Sequence, residues 1–274
     1  MTPETPEPAP ASPRTPDDSS ETVLELRGIN KRFGAVQALT DINLTIGRGE
    51  VVGLVGDNGA GKSTLIKVIA GVHSADEGEL IINGTAQKFA SPKDAQNARV
   101  ATVFQDLSLC ENLDVVANLF LGHEKTRGGV LDEVAMEAKS WELLRSLSAK
   151  IPSVRVPIAA LSGGQRQTVA IARSLLGEPS IVMLDEPTAA LGVAQTAEVL
   201  NLIERLKERD LGVLLVSHNM ADVQAVADRV HVLRLGKDAG DFPGDERTDV
   251  LVAAITGASD NVVTQRATRR GERR

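Results

Sequence analysis

The octet Gly56-Asp57-Asn58-Gly59-Ala60-Gly61-Lys62-Ser63 constrains this chain more than any other feature. It fits the pattern G-x-x-x-x-G-K-[ST], which carries physical meaning when it joins a strand to a helix. Both flanks comply. Val51 to Val55 is a short apolar run, and Leu65, Ile66 and Ile69 follow at helical spacing until Gly71 stops the helix. Gly56, Gly59 and Gly61 let the backbone N–H groups of the segment, including Asn58, Ala60 and Thr64, converge on phosphate oxygens, and the helix start adds its partial positive charge. Lys62 can reach the β- and γ-phosphates of a nucleoside triphosphate, and the Ser63 hydroxyl would ligate Mg²⁺.

Around that octet, short apolar strands alternate with helical patterns, which predicts a largely parallel sheet covered by helices. Leu39, Ile42, Leu44 and Ile46 mark an early strand, and Asn83-Gly84 after Leu80 to Ile82 is a hairpin signal, so the N-terminal part reads as antiparallel. From about 107 to 160 the chain reads as a helical insertion with Val134, Ala138, Trp141 and Leu144 on one stripe. Ile181 to Leu184 and Val213 to Val216 are buried-strand candidates. Between them runs a helix with Val199, Leu202, Ile203 and Leu206 on one face. Residues 1–21, rich in Pro, Glu, Ser and Thr, and residues 258–274, carrying Arg266, Arg269, Arg270, Arg273 and Arg274, read as solvated tails.

A chain of 274 residues has room for one such α/β domain, here 22–257, with an appended subdomain, and not for two. The net charge of −7 makes phosphate neutralisation along nucleic acid a poor fit. No run approaches the roughly 20 apolar residues that cross a bilayer, so a membrane role would need another polypeptide for the span. The single cysteine, Cys110, has no intrachain disulfide partner and reads as a small buried packing residue. With no leader-like opening, a reducing cytoplasm is the expected setting.

Two further stretches complete a candidate site. Ile181 to Leu184 ends in Asp185-Glu186, which places two carboxylates at the C-terminal edge of a sheet, where α/β proteins bind ligands. Asp185 is the candidate Mg²⁺ partner and Glu186 the group that polarises an attacking water. Leu161-Ser162-Gly163-Gly164-Gln165 precedes a helix with Val169, Ala172 and Leu176 on one face. Ser162 and Gln165 make a capping-box pattern, but a cap does not call for the intervening glycine pair, which would let a phosphate come close to the helix start.

With Leu161 to Gln165 unchanged from the family signature Leu-Ser-Gly-Gly-Gln, the chain resembles the ABC ATPases from about Thr22 to Gly257. The resemblance implies a RecA-like P-loop core with an N-terminal antiparallel β subdomain and an inserted α-helical subdomain. It also implies a head-to-tail dimer, in which Ser162, Gly163, Gly164 and Gln165 of one copy complete the ATP site built on the other copy's P-loop. By the same resemblance, Gln105 matches the residue that touches Mg²⁺ or water and couples to the membrane subunit. His218 matches the γ-phosphate contact and Phe33 the aromatic that stacks on adenine. Where the family usually has Ser-Ala-Leu-Asp, this chain has Ala189-Ala190-Leu191-Gly192, so the acid of a cross-dimer contact is missing.

Gly56 to Gly71, Val103 to Gly122 and Asp185 to Thr196 are similar to the monosaccharide-importing branch. That branch implies ATP hydrolysis coupled to uptake at the cytoplasmic face of a bacterial membrane. The implied partners are permease subunits, an extracytoplasmic binding protein and a second ATPase copy. The alternatives are an importer of another solute, or a soluble ABC ATPase acting on nucleic acid or ribosomes. The last needs long coiled-coil inserts or a tandem second domain, which this sequence lacks. A P-loop GTPase or small-molecule kinase gives no reason for Leu161 to Gln165.

Overall fold

The computed structural model describes residues 21–258, so the tail expectations lie almost wholly outside it. The chain opens with β1 (Thr22–Phe33), β2 (Val36–Gly47), β3 (Val51–Val55) and α1 (Lys62–Ile69), followed by β4 (Glu77–Ile82), β5 (Thr85–Gln87), α2 (Pro92–Asn97) and β6 (Val100–Val103). Next come α3 (Val115–Phe120), the small hairpin β7 (Thr126–Arg127) and β8 (Val130–Leu131), α4 (Glu133–Ser146) and α5 (Gly163–Ser174). The remainder alternates β9 (Ile181–Asp185), α6 (Val193–Glu208), β10 (Gly212–Val216), α7 (Met220–Val226), β11 (Arg229–Arg234), β12 (Lys237–Pro243) and α8 (Thr248–Thr256).

Two sheets result. β2-β1-β4-β5 is antiparallel, closed at one end by the turn Asn83-Gly84, where both residues take the positive φ that a tight hairpin demands. The six-stranded sheet runs β12-β11-β3-β10-β9-β6, parallel except for the antiparallel edge strand β12. Its central strands are buried on both faces, which is why they read as unbroken apolar runs.

Alternating side chains of β3, β9 and β10 feed two main cores, and a smaller third cluster joins Val55, Val223, Val230, Val232 and Leu251. Val52, Leu54, Ile181, Met183, Leu214 and Val216 pack with Leu65, Ile66 and Ile69 of α1 and with the antiparallel sheet. Val51, Val182, Leu184, Val213 and Leu215 pack with α5, α6 and the helices between residues 107 and 160. On α6 the buried residues are Val199, Leu202, Ile203 and Leu206, the face that the spacing predicts. Each such side chain contributes roughly 1.5–3 kcal/mol by leaving water. The two cores put α1 and α5 on opposite faces of the six-stranded sheet.

The expected stripe on α4 is met at Trp141, which packs on the core, and at Leu144, but not at its other two positions. Val134 is 82% exposed and Ala138 is also exposed, while Met136, Ser140, Leu143 and Leu144 turn inward. Ser140 can be buried because its hydroxyl donates to Met136 O at 2.8 Å, so its polarity hides an inward position. The hairpin β7–β8 also interrupts a stretch that read as helical. Cys110 is half-buried rather than enclosed, with its N–H held by Asn118 Oδ1 at 2.7 Å. Among the described residues, no helix is long and apolar enough to cross a membrane.

Candidate nucleotide site

Strand register brings the motif residues to one edge. Val216 pairs with Leu54 on one side and with Asp185 on the other, and Val103 pairs with Leu184. Gly56, His218, Glu186 and Gln105 therefore all follow strands that end within a residue or two of the same level, on neighbours spaced about 4.8 Å apart.

The loop after β3 is shaped by glycines that no other residue could replace. Gly56 has φ +154 and a methyl there would collide with the Leu233 carbonyl oxygen. At Gly61, φ is +107 and a methyl would lie 2.8 Å from Leu39 Cδ2. The turn between β11 and β12 supports this loop from behind: Gly236 N–H donates to Ala60 O at 3.0 Å, and its carbonyl accepts from Thr40 N at 2.7 Å. That support came from no sequence motif. Its only trace was the Leu235-Gly236 dipeptide.

Lys62 Nζ donates to Gly56 O at 2.6 Å and to Asp57 O at 3.1 Å, so the ammonium is held across the loop. Burial lowers its pKa, and the charges of Glu186, Asp57 and Asp185 oppose that shift. Asp185 moves the other way: burial raises its pKa first and Glu186 adds to this, while Lys62 and Lys67 oppose. A half-buried carboxylate pair beside one lysine is a place where additional positive charge is stabilising. Ser63, Asp185 and Gln105 offer a hydroxyl, a carboxylate and an amide, the hard oxygen donors that Mg²⁺ takes. The residues present thus fit the metal expected from sequence.

Glu186 sits in a left-handed conformation, φ +52, just past β9, with its N–H bonded to Val216 O at 2.9 Å. His218 Nδ1 lies 2.8 Å from Glu186 Oε2. The carboxylate is largely enclosed whereas the imidazole is 74% exposed, so the histidine reaches in from the rim. Sequence spacing placed both residues near the phosphates but did not pair them with each other. Gln105 is exposed on the loop after β6.

Phe33, at the end of β1, is 43% exposed, which removes it from the core. Its ring meets His73 edge to face at 5.1 Å, and Lys31 Nζ lies 5.5 Å from the ring centre.

Ser162 caps α5 as its spacing predicts: Gln165 N donates to Ser162 Oγ at 3.3 Å, and Ser162 N to Gln165 Oε1 at 2.9 Å. Among the described residues no hydrogen bond joins 161–165 to 56–63. The structure brings together residues 56–64, 105, 185, 186 and 218, and leaves 162–165 on the other face of the sheet.

The family model described as ABC transporter matches residues 39–189. A xylose/arabinose import ATP-binding protein of Sulfolobus acidocaldarius is 46% identical over 215 residues, covering 78% of this chain and 86% of that one. A fructose import ATP-binding protein of Rhizobium meliloti is 41% identical over 251 residues, covering 88% and 96%. A ribose import ATP-binding protein of Yersinia pestis is 39% identical over 218 residues, 80% of this chain but 43% of the relative. Among solved structures, the ADP conformation of the ATP-binding cassette MJ1267 superposes with TM-score 0.74 at 25% identity, covering 86% and 95%. The dimeric post-hydrolysis state of the cassette MJ0796, bound to ADP and Pi, gives 0.67 at 26% identity, covering 82% and 100%.

Proposed function

The chain belongs to the ABC transporter family and is an ATP-hydrolysing subunit, and from that premise we propose that it powers import of a monosaccharide as a head-to-tail dimer. One ATPase domain, 22–257, is the working unit. The observation that carries the dimer is the separation of the two phosphate-binding elements. The P-loop opens α1 on one face of the sheet and Ser162 to Gln165 open α5 on the other, which supports a site completed by a second copy.

In the closed dimer, the N–H groups of residues 58–64 and Lys62 hold the β- and γ-phosphates, Phe33 takes the adenine, and Ser162 to Gly164 of the other copy close over the triphosphate. Ser63, Asp185 and Gln105 would hold Mg²⁺, which when bound neutralises charge on the phosphate oxygens. Glu186 accepts the hydrogen bond of the attacking water, in line with the bond to the leaving ADP. His218, paired with Glu186, holds that carboxylate and reaches the γ-phosphate. Water attack breaks the bond between the β- and γ-phosphates, and departure of inorganic phosphate removes the group that bridged the two copies, so the dimer reopens.

The monosaccharide reading is supported by relatives whose names specify xylose/arabinose, fructose and ribose import. Such a role needs two permease subunits at the cytoplasmic face of a membrane and an extracytoplasmic binding protein. A cleft of about 830 Å³ between β6, α3 and α5 suits the permease contact. It lies beside the Gln105 loop and is edged by Lys93, Arg99, Lys125, Lys139 and Arg173 against Asp106 and Glu178, a basic patch on an acidic chain.

Glu186→Gln is the test. The variant keeps the size and hydrogen-bonding reach of the side chain but loses the charge, so it should bind ATP, lose turnover and accumulate as a dimer, measured by light scattering. A variant that turns over normally would remove Glu186 from its role, and one that stays monomeric in saturating ATP would remove the dimer.

A further inference from the structure

Gly163 and Gly164 face the first turn of α6 at close range. A methyl on Gly163 would come within 2.9 Å of Leu191 Cδ2, and one on Gly164 within 3.2 Å of Gln195 Cβ. Neither glycine has a positive φ, so the backbone conformation does not demand glycine here. The space does, because Leu191 and Gln195 of their own chain, flanking the start of α6, fill the place of a side chain.

The segment leading to that contact has little slack. From Glu186 the chain passes through Thr188, whose hydroxyl donates to the buried Asp222 carboxylate at 2.6 Å. Ala189 N bonds Glu186 O at 3.1 Å, Leu191 N bonds Thr188 O at 3.2 Å, and Ala190 is held at φ +61. Beyond it, Gln195 Oε1 accepts from Gly192 N at 3.4 Å and closes the start of α6. The far half of α6 grips the insertion: Arg205 donates to Leu147 O and Arg209 to Ser146 Oγ, both at 2.7 Å. Gln165 Nε2 completes the body by donating to Lys150 O at 2.8 Å. The loop carrying Glu186, helix α6 and the start of α5 are therefore packed as one unit.

We propose that Leu191 is a positioning residue, whose side chain, seated on Gly163, sets where Ser162 to Gly164 are presented to the partner copy's triphosphate. It ties the catalytic loop serving one ATP to the glycine pair serving the other. The tie runs through an apolar contact inside the chain and needs no acid at position 192. The proposal rests on the dimer reading above.

The test uses the full chain as wild type, Leu191→Ala, Leu191→Met and Gln195→Ala, each also made with Glu186→Gln for the size measurement. Leu191→Ala should lower saturated ATPase turnover by roughly tenfold and raise the ATP needed for dimer formation similarly, since a displacement of about 1 Å at a reacting centre costs on the order of 10²-fold. Binding of a fluorescent ATP analogue to the monomer should stay within about twofold, because Leu191 packs in the core on the α5 face of the sheet, whereas Ala60 and α1 pack in the other. Leu191→Met should restore both readouts by refilling the space, and Gln195→Ala, which frees the Gly192 N–H at the start of α6 and clears Cγ but not Cβ from beside Gly164, should shift both readouts in the same direction as Leu191→Ala. Unchanged turnover and dimerisation in Leu191→Ala overturn the proposal. So does a loss shared equally by monomer binding, which would make Leu191 a general packing residue. If the Glu186→Gln parent with Leu191 intact stays monomeric in saturating ATP, the dimer reading fails and takes this proposal with it.

Discussion

Raising the pH from 6 to 10 should loosen this protein through one side chain, His231, which lies fully buried between β11 and β12. Its Nδ1 is 3.1 Å from Asp241 Oδ1 and its Nε2 is 3.1 Å from Asp238 Oδ1. With an acceptor facing each ring nitrogen, only the imidazolium can donate to both. Arg229 joins the group, bonding Asp241 and, at 3.1 Å, Glu50. Burial lowers the imidazole pKa, but the hydrogen bonds and charges of the two aspartates outweigh it, and the pKa is pushed up from 6.5 to about 9. A folded-state pKa above the unfolded one means that this stabilisation is fully present below pH 6.5 and is lost as the pH rises through 9. At 1.36 kcal/mol per unit the loss is roughly 3 kcal/mol, a fall of roughly 6–12 °C in Tm for a domain of this size. Asp241 does not blur the alkaline window. Burial raises its pKa, but His231 and Arg229 outweigh that and lower it, so its contribution is lost only in acid.

The assay is urea unfolding of the wild type and His231→Gln between pH 6 and 10, with the imidazole carbons followed by NMR. The stability gap between the two proteins should shrink by about 3 kcal/mol across the window. An imidazole that titrates at or below 6.5, or a gap that stays flat, would refute the reasoning. The effect bears on function because the turn of this same hairpin supplies the Gly236 N–H that holds Ala60 of the phosphate loop.

Gly56→Ala should cost roughly 3 kcal/mol, from a strained φ and a collision with a backbone carbonyl that cannot yield, and should abolish ATP binding; a thermal melt within a degree of wild type would argue against it. Gly192→Asp should raise stability by a few tenths of a kcal/mol. Position 192 is the N-cap of α6 in an extended conformation, with nothing within 4 Å of an added Cβ, so a carboxylate there can accept from the first turn. A lowered Tm would contradict that reading.

Much of the site was legible because its chemistry is local. Gly56, Gly59 and Gly61 announce a phosphate loop whatever surrounds them, and the apolar runs ending at Val55, Leu184 and Val216 announce strands buried on both faces. α6 showed its buried face through spacing alone. α4 did not, since Ser140 satisfies its hydroxyl on the preceding turn and so looks like a surface residue. β11 went unassigned because Arg229 and His231 break its apolar pattern. Their partners, Glu50, Asp238 and Asp241, lie on other segments.

By itself the amino-acid order determined a P-loop ATPase with a second, glycine-containing capped helix start at Ser162, since both depend on residue types at fixed short spacing. Only the tertiary structure decided that His218 rests on Glu186, that Leu191 fills the space beside Gly163, and that α1 and α5 pack on opposite faces of the six-stranded sheet. Those are distances between residues far apart in the chain. Periodicity carries no information about them, because it records which face a side chain takes and not what waits on the other side.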